Sequence, residues 1–230
     1  MLKKRYPLHY SLRRFYIDRF FQQAVQLLPR RSLVLDLGGV KINKRGQFDI
    51  SRYDFDVVCL NISTAKRPDI QADAASLPFK GGCFDAVVCA EVLEHVAAPV
   101  KLLEEAYRVL HADGILLMSA PFLTRSHGDP YDYGRYNEHF LLAQLSGLGF
   151  QDIALEKQGL FWSVVVEMLR EYALFIVKRK KYVSFLFRRL FTRGINWGRN
   201  RAVACESRAG YAQHLFYGSF TTGFGITARK

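Results

Sequence analysis

The densest set of chemically capable side chains lies in PFLTRSHGDPYDYGRYNEHF, residues 121–140. Histidine is the side chain whose ordinary titration range lies near neutrality, so His127 is the candidate general base, with Asp129 or Asp132 placed to orient its ring. Tyr131, Tyr133 and Arg135 add polar and aromatic groups able to position an acceptor. A plainer reading has His127 capping a turn in a Gly/Pro/Asp loop and Arg135 pairing with Asp132. Upstream, CAEVLEHV places His95 four residues after Glu91, on one face of a helix. Glu91, Glu94 and His95 make part of a metal set, but no H-E-x-x-H is present and a third ligand is not evident, so no metal is expected. LDLGGV supplies Asp36, Gly38 and Gly39. Glycines after a first strand let the backbone approach a nucleotide-like ligand, although the same letters describe an ordinary tight turn.

These residues need a scaffold, and the stretch from Ser32 to about Gly159 provides one by alternating β-rich runs with helical patterns. SLVLDL (32–37), DVVCLNI (56–62), FDAVVCA (84–90) and GILLMSA (114–120) have the continuous apolar character of strands buried on both faces. PVKLLEEAYRVL (99–110) begins with a helix-starting Pro99 and carries Val100, Leu103, Tyr107 and Leu110 at helical spacing. Asp113-Gly114 turns the chain into the next strand. Asn137 caps a helix to about Leu145, and Phe150 to Leu155 forms a further strand. KINKRGQFDISRYDF, with Gly46 in its middle, is a poor helix, so the first crossover is expected to be short or a loop. The expected fold is α/β, with a mostly parallel sheet.

VLDLGG, QADAASLPF, FDAVVCAEVLEHV and EAYRVLHADGILLMSAPF resemble, in order and spacing, the motifs of class I S-adenosylmethionine-dependent methyltransferases of the type-11 sort. The resemblance implies a Rossmann-like, seven-stranded, mostly parallel sheet with helices on both faces, and S-adenosyl-L-methionine as cofactor. It places Asp36, Gly38 and Gly39 beside the methionine part, Asn61 at the ribose and Ile62 against adenine. Asp73 with Ala74 matches the adenine-binding pair, and Ala90 with Glu91 lines the cofactor wall. It also turns the loop after the fifth strand, with His127, Asp129, Tyr131, Asp132, Tyr133 and Arg135, toward the transferred methyl group. Two departures stand out. Val40 and Ile42 follow Gly38 and Gly39 where the family carries further glycines, and Asn61 replaces an acid at the end of the second strand. A nicotinamide dehydrogenase fits less well, since both G-x-G-x-x-G and that acid are missing.

The organisation expected is a basic helical segment (1–31), a methyltransferase core (32–159), a basic amphipathic helical region (160–217) and a closing strand (218–230). The net charge of +12 divides as +7 over residues 1–31, −5 over 32–160 and +10 over 161–230. Anionic surfaces would therefore meet the flanks. FWSVVVEMLREYALFIVKRKKYVSFLFRRLF interleaves Phe, Trp and aliphatic residues with cations. This suits an anionic membrane surface better than RNA, and a plain structural cover equally well. Cys59, Cys83, Cys89 and Cys205 form no C-x-x-C pair and are expected to behave as buried small hydrophobes in a reducing compartment. No apolar leader follows the basic N-terminus, so a cytoplasmic location is expected. The function expected is methyl transfer to a small-molecule or lipid- or glycan-linked acceptor, with oxygen slightly preferred. A non-catalytic module on the same fold and an RNA methyltransferase are the alternatives.

Overall fold

A computed structural model describes residues 7–42, 46–128, 131–179 and 185–230, with side chains for all of these except 177–179 and 185–188. Its elements are α1 (Leu12–Ala24), β1 (Leu33–Leu37), β2 (Asp56–Asn61), β3 (Ile70–Gln71), β4 (Phe84–Ala90), α2 (Pro99–Val109), β5 (Leu110–Pro121), α3 (Glu138–Gly147), β6 (Gln151–Lys157), α4 (Phe161–Arg179), α5 (Phe185–Glu206) and β7 (Gly223–Arg229). The seven strands form one sheet in the order β3-β2-β1-β4-β5-β7-β6. The pairings β1 with β2, β1 with β4, β2 with β3 and β4 with β5 are parallel. The chain divides into two compact units, one of residues 17–156 with 224–230 and the other of residues 1–16 with 157–223.

In the first unit, period-two side-chain alternation sends consecutive residues of each strand into opposite cores. Leu35, Val87, Cys89, Leu116 and Met118 pack with Leu102, Leu103 and Ala106 of α2 and Leu141 and Leu145 of α3. Val34, Ala86, Val88, Ile115 and Leu117 pack with Ile17, Phe20, Phe21 and Ala24 of α1. Strands covered on both faces show no polar alternation, which is why their sequences read as apolar runs. The buried face of α2 is Leu102, Leu103, Ala106 and Val109, rotated from the Val100, Leu103, Tyr107, Leu110 stripe that the spacing proposed. Pro99 opens this helix, and the Asn137 side chain accepts from Phe140 N at 2.9 Å to cap α3.

Two local features refine the reading. β5 begins at Leu110 rather than at Gly114, because the Asp113-Gly114 turn is absorbed as an irregularity in the register between Phe84 and Ala86, with Asp113 at φ +66°. Between β1 and β2 the described residues hold only a short 3-10 turn, Ile50–Arg52, in place of a crossover helix. Aromatic rings fill that space: Phe21 stacks on Phe48 at 5.3 Å, Phe48 meets Tyr53 at 5.9 Å, and Tyr53 stacks on Phe55 at 5.8 Å. Asp18 of α1 anchors the segment by accepting from Gln47 N at 2.8 Å and Phe48 N at 3.2 Å. The cysteines are free; Cys59 and Cys89 are core residues, but Cys83 is exposed and Cys205 half-buried, which corrects the expectation of burial for all four. Cys83 sits in a glycine turn that no element covers.

The second unit is built from the helices α4 and α5, packed through Val166 and Ala202 together with Leu12 and Tyr16. Glu206, at the end of α5, accepts from Leu160 N at 3.0 Å and Ser163 N at 2.7 Å, so a carboxylate caps the start of α4. Arg170 bridges Glu167 and Glu171 and donates to Leu8 O at 3.0 Å. An apolar groove of about 870 Å³ lies along α4 and α5, lined by Trp162, Leu169, Leu190, Phe191, Trp197 and Arg201 among others. Among the described residues, no helix is long and apolar enough to cross a membrane.

Candidate active site

Parallel strands end together, and the register fixes which residues share that edge. Leu37 is opposite Leu60 and Cys89, Asn61 is opposite Gln71, and Ala90 is opposite Ser119. The segments that follow β1, β2, β4 and β5 therefore emerge side by side at the carboxyl edge, where open α/β sheets bind their ligands.

The loop after β1 is shaped by its two glycines. Gly38 has φ +70°, and a Cβ on it would fall 2.5 Å from a methyl group of Val92. A Cβ on Gly39 would fall 2.2 Å from Asp36 Oδ2 and 2.9 Å from Cys59 Sγ. Asn61 finishes the loop from beneath: its Nδ2 donates to Gly38 O at 3.0 Å and Gly39 O at 2.9 Å, while its Oδ1 accepts from Ser63 N at 2.9 Å. Asn61 is only 8% exposed and is turned onto the loop, whereas the adjacent Ile62 is 60% exposed at the edge. Asp73 is exposed and turns the chain by accepting from Ala75 N at 2.9 Å; Ala74 beside it is buried. Glu91 adopts φ +57°, and its carboxylate accepts from Ser119 Oγ at 3.1 Å across the β4–β5 pair. Ala90 is half-buried just before it. The carboxylates of Glu94, Asp36 and Glu91 add to burial in pushing the Cys89 thiol far above its ordinary range, so this cysteine is no nucleophile.

The loop after β5 folds around a partly buried ion pair. Asp132, with a side chain 6% exposed, takes a two-pronged contact from Arg135, including Nη2 to Oδ2 at 2.7 Å. It also accepts from His127 N at 2.7 Å. Hydrogen bonding from Arg135 holds the Asp132 carboxyl well below the usual carboxylate range, against the opposing effect of burial. Asp132 and Arg135 thus build the loop, as the plainer reading of the sequence allowed, and the Asp132 carboxylate lies 3.6 Å from Nδ1 of the His127 ring. Tyr131 and Tyr133 present largely exposed rings 5.8 Å apart. Asp129 lies outside the described residues.

This loop is clasped to the 3-10 turn Leu93–His95 that follows β4. Tyr133 N donates to Glu94 O at 2.7 Å, and His95 Nδ1 lies 2.5 Å from Tyr131 O. The rings of His95 and His127 meet edge to face, 5.2 Å between centroids. Sequence reasoning left out two members of the neighbourhood. Ser119, inside an apolar strand run, orients Glu91. Tyr136, whose hydroxyl burial and Glu94 push to a higher pKa, lies beside the same carboxylates. Neither had a local signal, since both owe their place to pairing across strands or loops.

A sheet in this order, with a glycine loop after β1 and acidic residues after β3 and β4, defines the class I methyltransferase architecture. Residues 42–118, about a third of the chain, match the family model described as "Methyltransferase domain". The match begins just past Gly38 and Gly39, where this chain departs from the family pattern. A curated relative, "Probable S-adenosylmethionine-dependent methyltransferase" of Mycobacterium tuberculosis (strain CDC 1551 / Oshkosh), is 33% identical over 92 residues, 37% of this chain and 34% of that protein. The chain thus spans about a third of this relative's length. Among solved structures, the [4+2]-cyclase SpnF superposes with a TM-score of 0.59 at 19% identity, over 93% of this chain and 81% of that one. A methyltransferase from Archaeoglobus fulgidus does so with a TM-score of 0.56 at 16% identity, over 94% of each chain. These structural likenesses establish the fold.

Proposed function

We propose that the chain binds S-adenosyl-L-methionine along the carboxyl edge of β1, β2, β3 and β4 and transfers its methyl group to a small-molecule or lipid- or glycan-linked acceptor, oxygen being the preferred atom. The observation that carries this reading is the glycine loop. Gly38 and Gly39 have no room for side chains, and the apolar Ile62 and acidic Asp73 stand exposed along the same edge. Ile62 suits an adenine face, Asp73 with Ala74 the adenine amino group, Ala90 with Glu91 the cofactor wall, and Asp36 the methionine end. Asn61 holds the loop carbonyls, and a ribose contact through it uses the second lone pair of Oδ1.

The bound cofactor supplies a methyl group on a sulfonium, which leaves by in-line displacement. The protein's part is alignment and proton management. Tyr131 and Tyr133 offer ring faces to an acceptor. His127, with Nδ1 3.3 Å from the Arg125 carbonyl, keeps Nε2 as the basic nitrogen for a hydroxyl proton. The Asp132–Arg135 pair fixes the loop that carries all three. For a lipid-linked acceptor or an anionic membrane surface, the apolar groove of α4 and α5 and their arginines supply contacts.

The test is ligand-induced stabilisation. S-adenosylhomocysteine at about one hundred times its dissociation constant should add roughly 2.7 kcal/mol to folding stability. Asp73→Ala and Gly38→Val should each reduce the accompanying rise in melting temperature. No rise at millimolar ligand would remove the foundation of the reading. The degenerate glycine loop, with Val40 and Ile42 in place of further glycines, supports a second reading, a non-catalytic module on the same fold. Binding of S-adenosylmethionine with methyl turnover on any acceptor eliminates it.

A further inference from the structure

We propose that Glu94, His95 and His127 form a binding site for a divalent transition-metal cation of the zinc type, with at least one coordination position open. Along the chain, no third ligand to join Glu94 and His95 is evident. The fold supplies one by laying the loop after β5 against the Leu93–His95 turn. One ligand atom from each of the three residues lies within 4.8 Å of the other two. Tetrahedral coordination at about 2.1 Å brings donors to roughly 3.4 Å of one another, a modest contraction of these side chains.

The imidazoles are set up as ligands. His95 Nδ1 faces the Tyr131 carbonyl at 2.5 Å. A carbonyl can only accept, so Nδ1 carries the ring proton; in the neutral ring Nε2, 3.6 Å from Glu94 Oε1, is then the nitrogen with the lone pair. His127 repeats the pattern, with Nδ1 at 3.3 Å from the Arg125 carbonyl and 3.6 Å from Asp132 Oδ2. Orientation of a ligating ring through its other nitrogen, by a carbonyl or carboxylate, is the usual support of metal-bound histidine. Glu94 contributes a fully buried carboxylate on the same turn, and the nearby Arg135 fork is held by Asp132. Two imidazoles and one carboxylate suit zinc, and a three-residue set leaves room for an oxygen donor from outside. Cation binding itself stands apart from the methyl-transfer reading. Its extension to an acceptor bearing a hydroxyl or carboxylate oxygen on the open position rests on that reading, and in the metal-bound form His127 Nε2 serves as a ligand instead of as a general base.

The experiment titrates chelator-stripped, dialysed protein with zinc chloride in a calorimeter, in a Cys83→Ser background so that the exposed thiol does not contribute. One equivalent should bind with micromolar or tighter affinity. His95→Ala, His127→Ala and Glu94→Gln should each weaken binding at least tenfold, whereas His139→Ala, at an exposed histidine that is not one of the three, should leave it unchanged. Melting curves of each variant verify folding, and His127→Ala, on a partly exposed loop, keeps the test valid if Glu94→Gln misfolds. Absence of zinc binding at tens of micromolar, or affinity unchanged in both histidine variants, overturns the proposal. S-adenosylhomocysteine binding is measured on the same samples. If it persists while zinc does not bind, the metal site alone is lost; if zinc binds and the nucleoside does not, the methyltransferase reading alone is lost.

Discussion

At the scale of single residues, Asp132 shows how one side chain serves two neighbours. It neutralises Arg135 and accepts from His127 N, and its pKa is held down chiefly by the Arg135 hydrogen bonds. A carboxyl depressed in the folded state stabilises the protein above its unfolded pKa, near 4, and loses that contribution as pH falls toward the folded value. Asp132→Asn should therefore cost about 1–3 kcal/mol at neutral pH. The deficit should shrink as pH drops below about 4, as urea unfolding at pH 7 and pH 3 would show. The sequence displayed Asp132 and Arg135 three residues apart, so their pairing was legible. It could not show that Asn61 would turn inward onto Gly38 and Gly39, because that depends on two strands ending at the same height. The contacts of His127 with the turn after β4 were hidden for the same reason: loops 30 residues apart meet only after the sheet forms.

At the scale of elements, the strand runs and helix starts were readable because each carries its own physics. Double-sided burial makes apolar runs, Pro99 fixes an N-terminus, and Asn137 is a side-chain cap. α4 offers the contrast. Its N-terminus follows Gly159 and Leu160, which bring no capping group, and the cap arrives from Glu206, 43 residues away from Ser163. The Glu206 carboxylate also accepts from Ser163 Oγ at 2.6 Å and Tyr16 Oη at 3.1 Å. Glu206→Ala should leave these donors without their acceptor and destabilise the protein by about 2 kcal/mol. The denaturant midpoint should fall with little change in slope. A shift below a few tenths of a kcal/mol would mean that water replaces the cap at no cost.

At the scale of the whole molecule, the positive charge belongs to the flanks and the cofactor motifs to a mildly acidic centre. α5 carries Arg189, Arg193, Arg199 and Arg201 with Glu206 as its one acid, beside an apolar groove. Both tryptophans of the protein, Trp162 and Trp197, line that groove and are partly exposed. Vesicles rich in phosphatidylglycerol should therefore shift tryptophan emission to the blue, and phosphatidylcholine vesicles should not. The shift should fade with salt, since each cation near the surface contributes about 1 kcal/mol. Unchanged emission with both lipids would assign α4 and α5 to a purely structural role. The strand order carries a different consequence. β7 inserts between β5 and β6, yet it is translated after both, with α4 and α5 in between. At about 5–20 residues per second, a ribosome needs roughly 3 to 13 seconds to pass from β6 to β7. Throughout that interval the nascent chain holds β5 with an open edge and a core lacking Phe224 and Ile226. An interior strand is thus made after both of its neighbours, so chaperone protection of the β5 edge is expected to matter until β7 emerges.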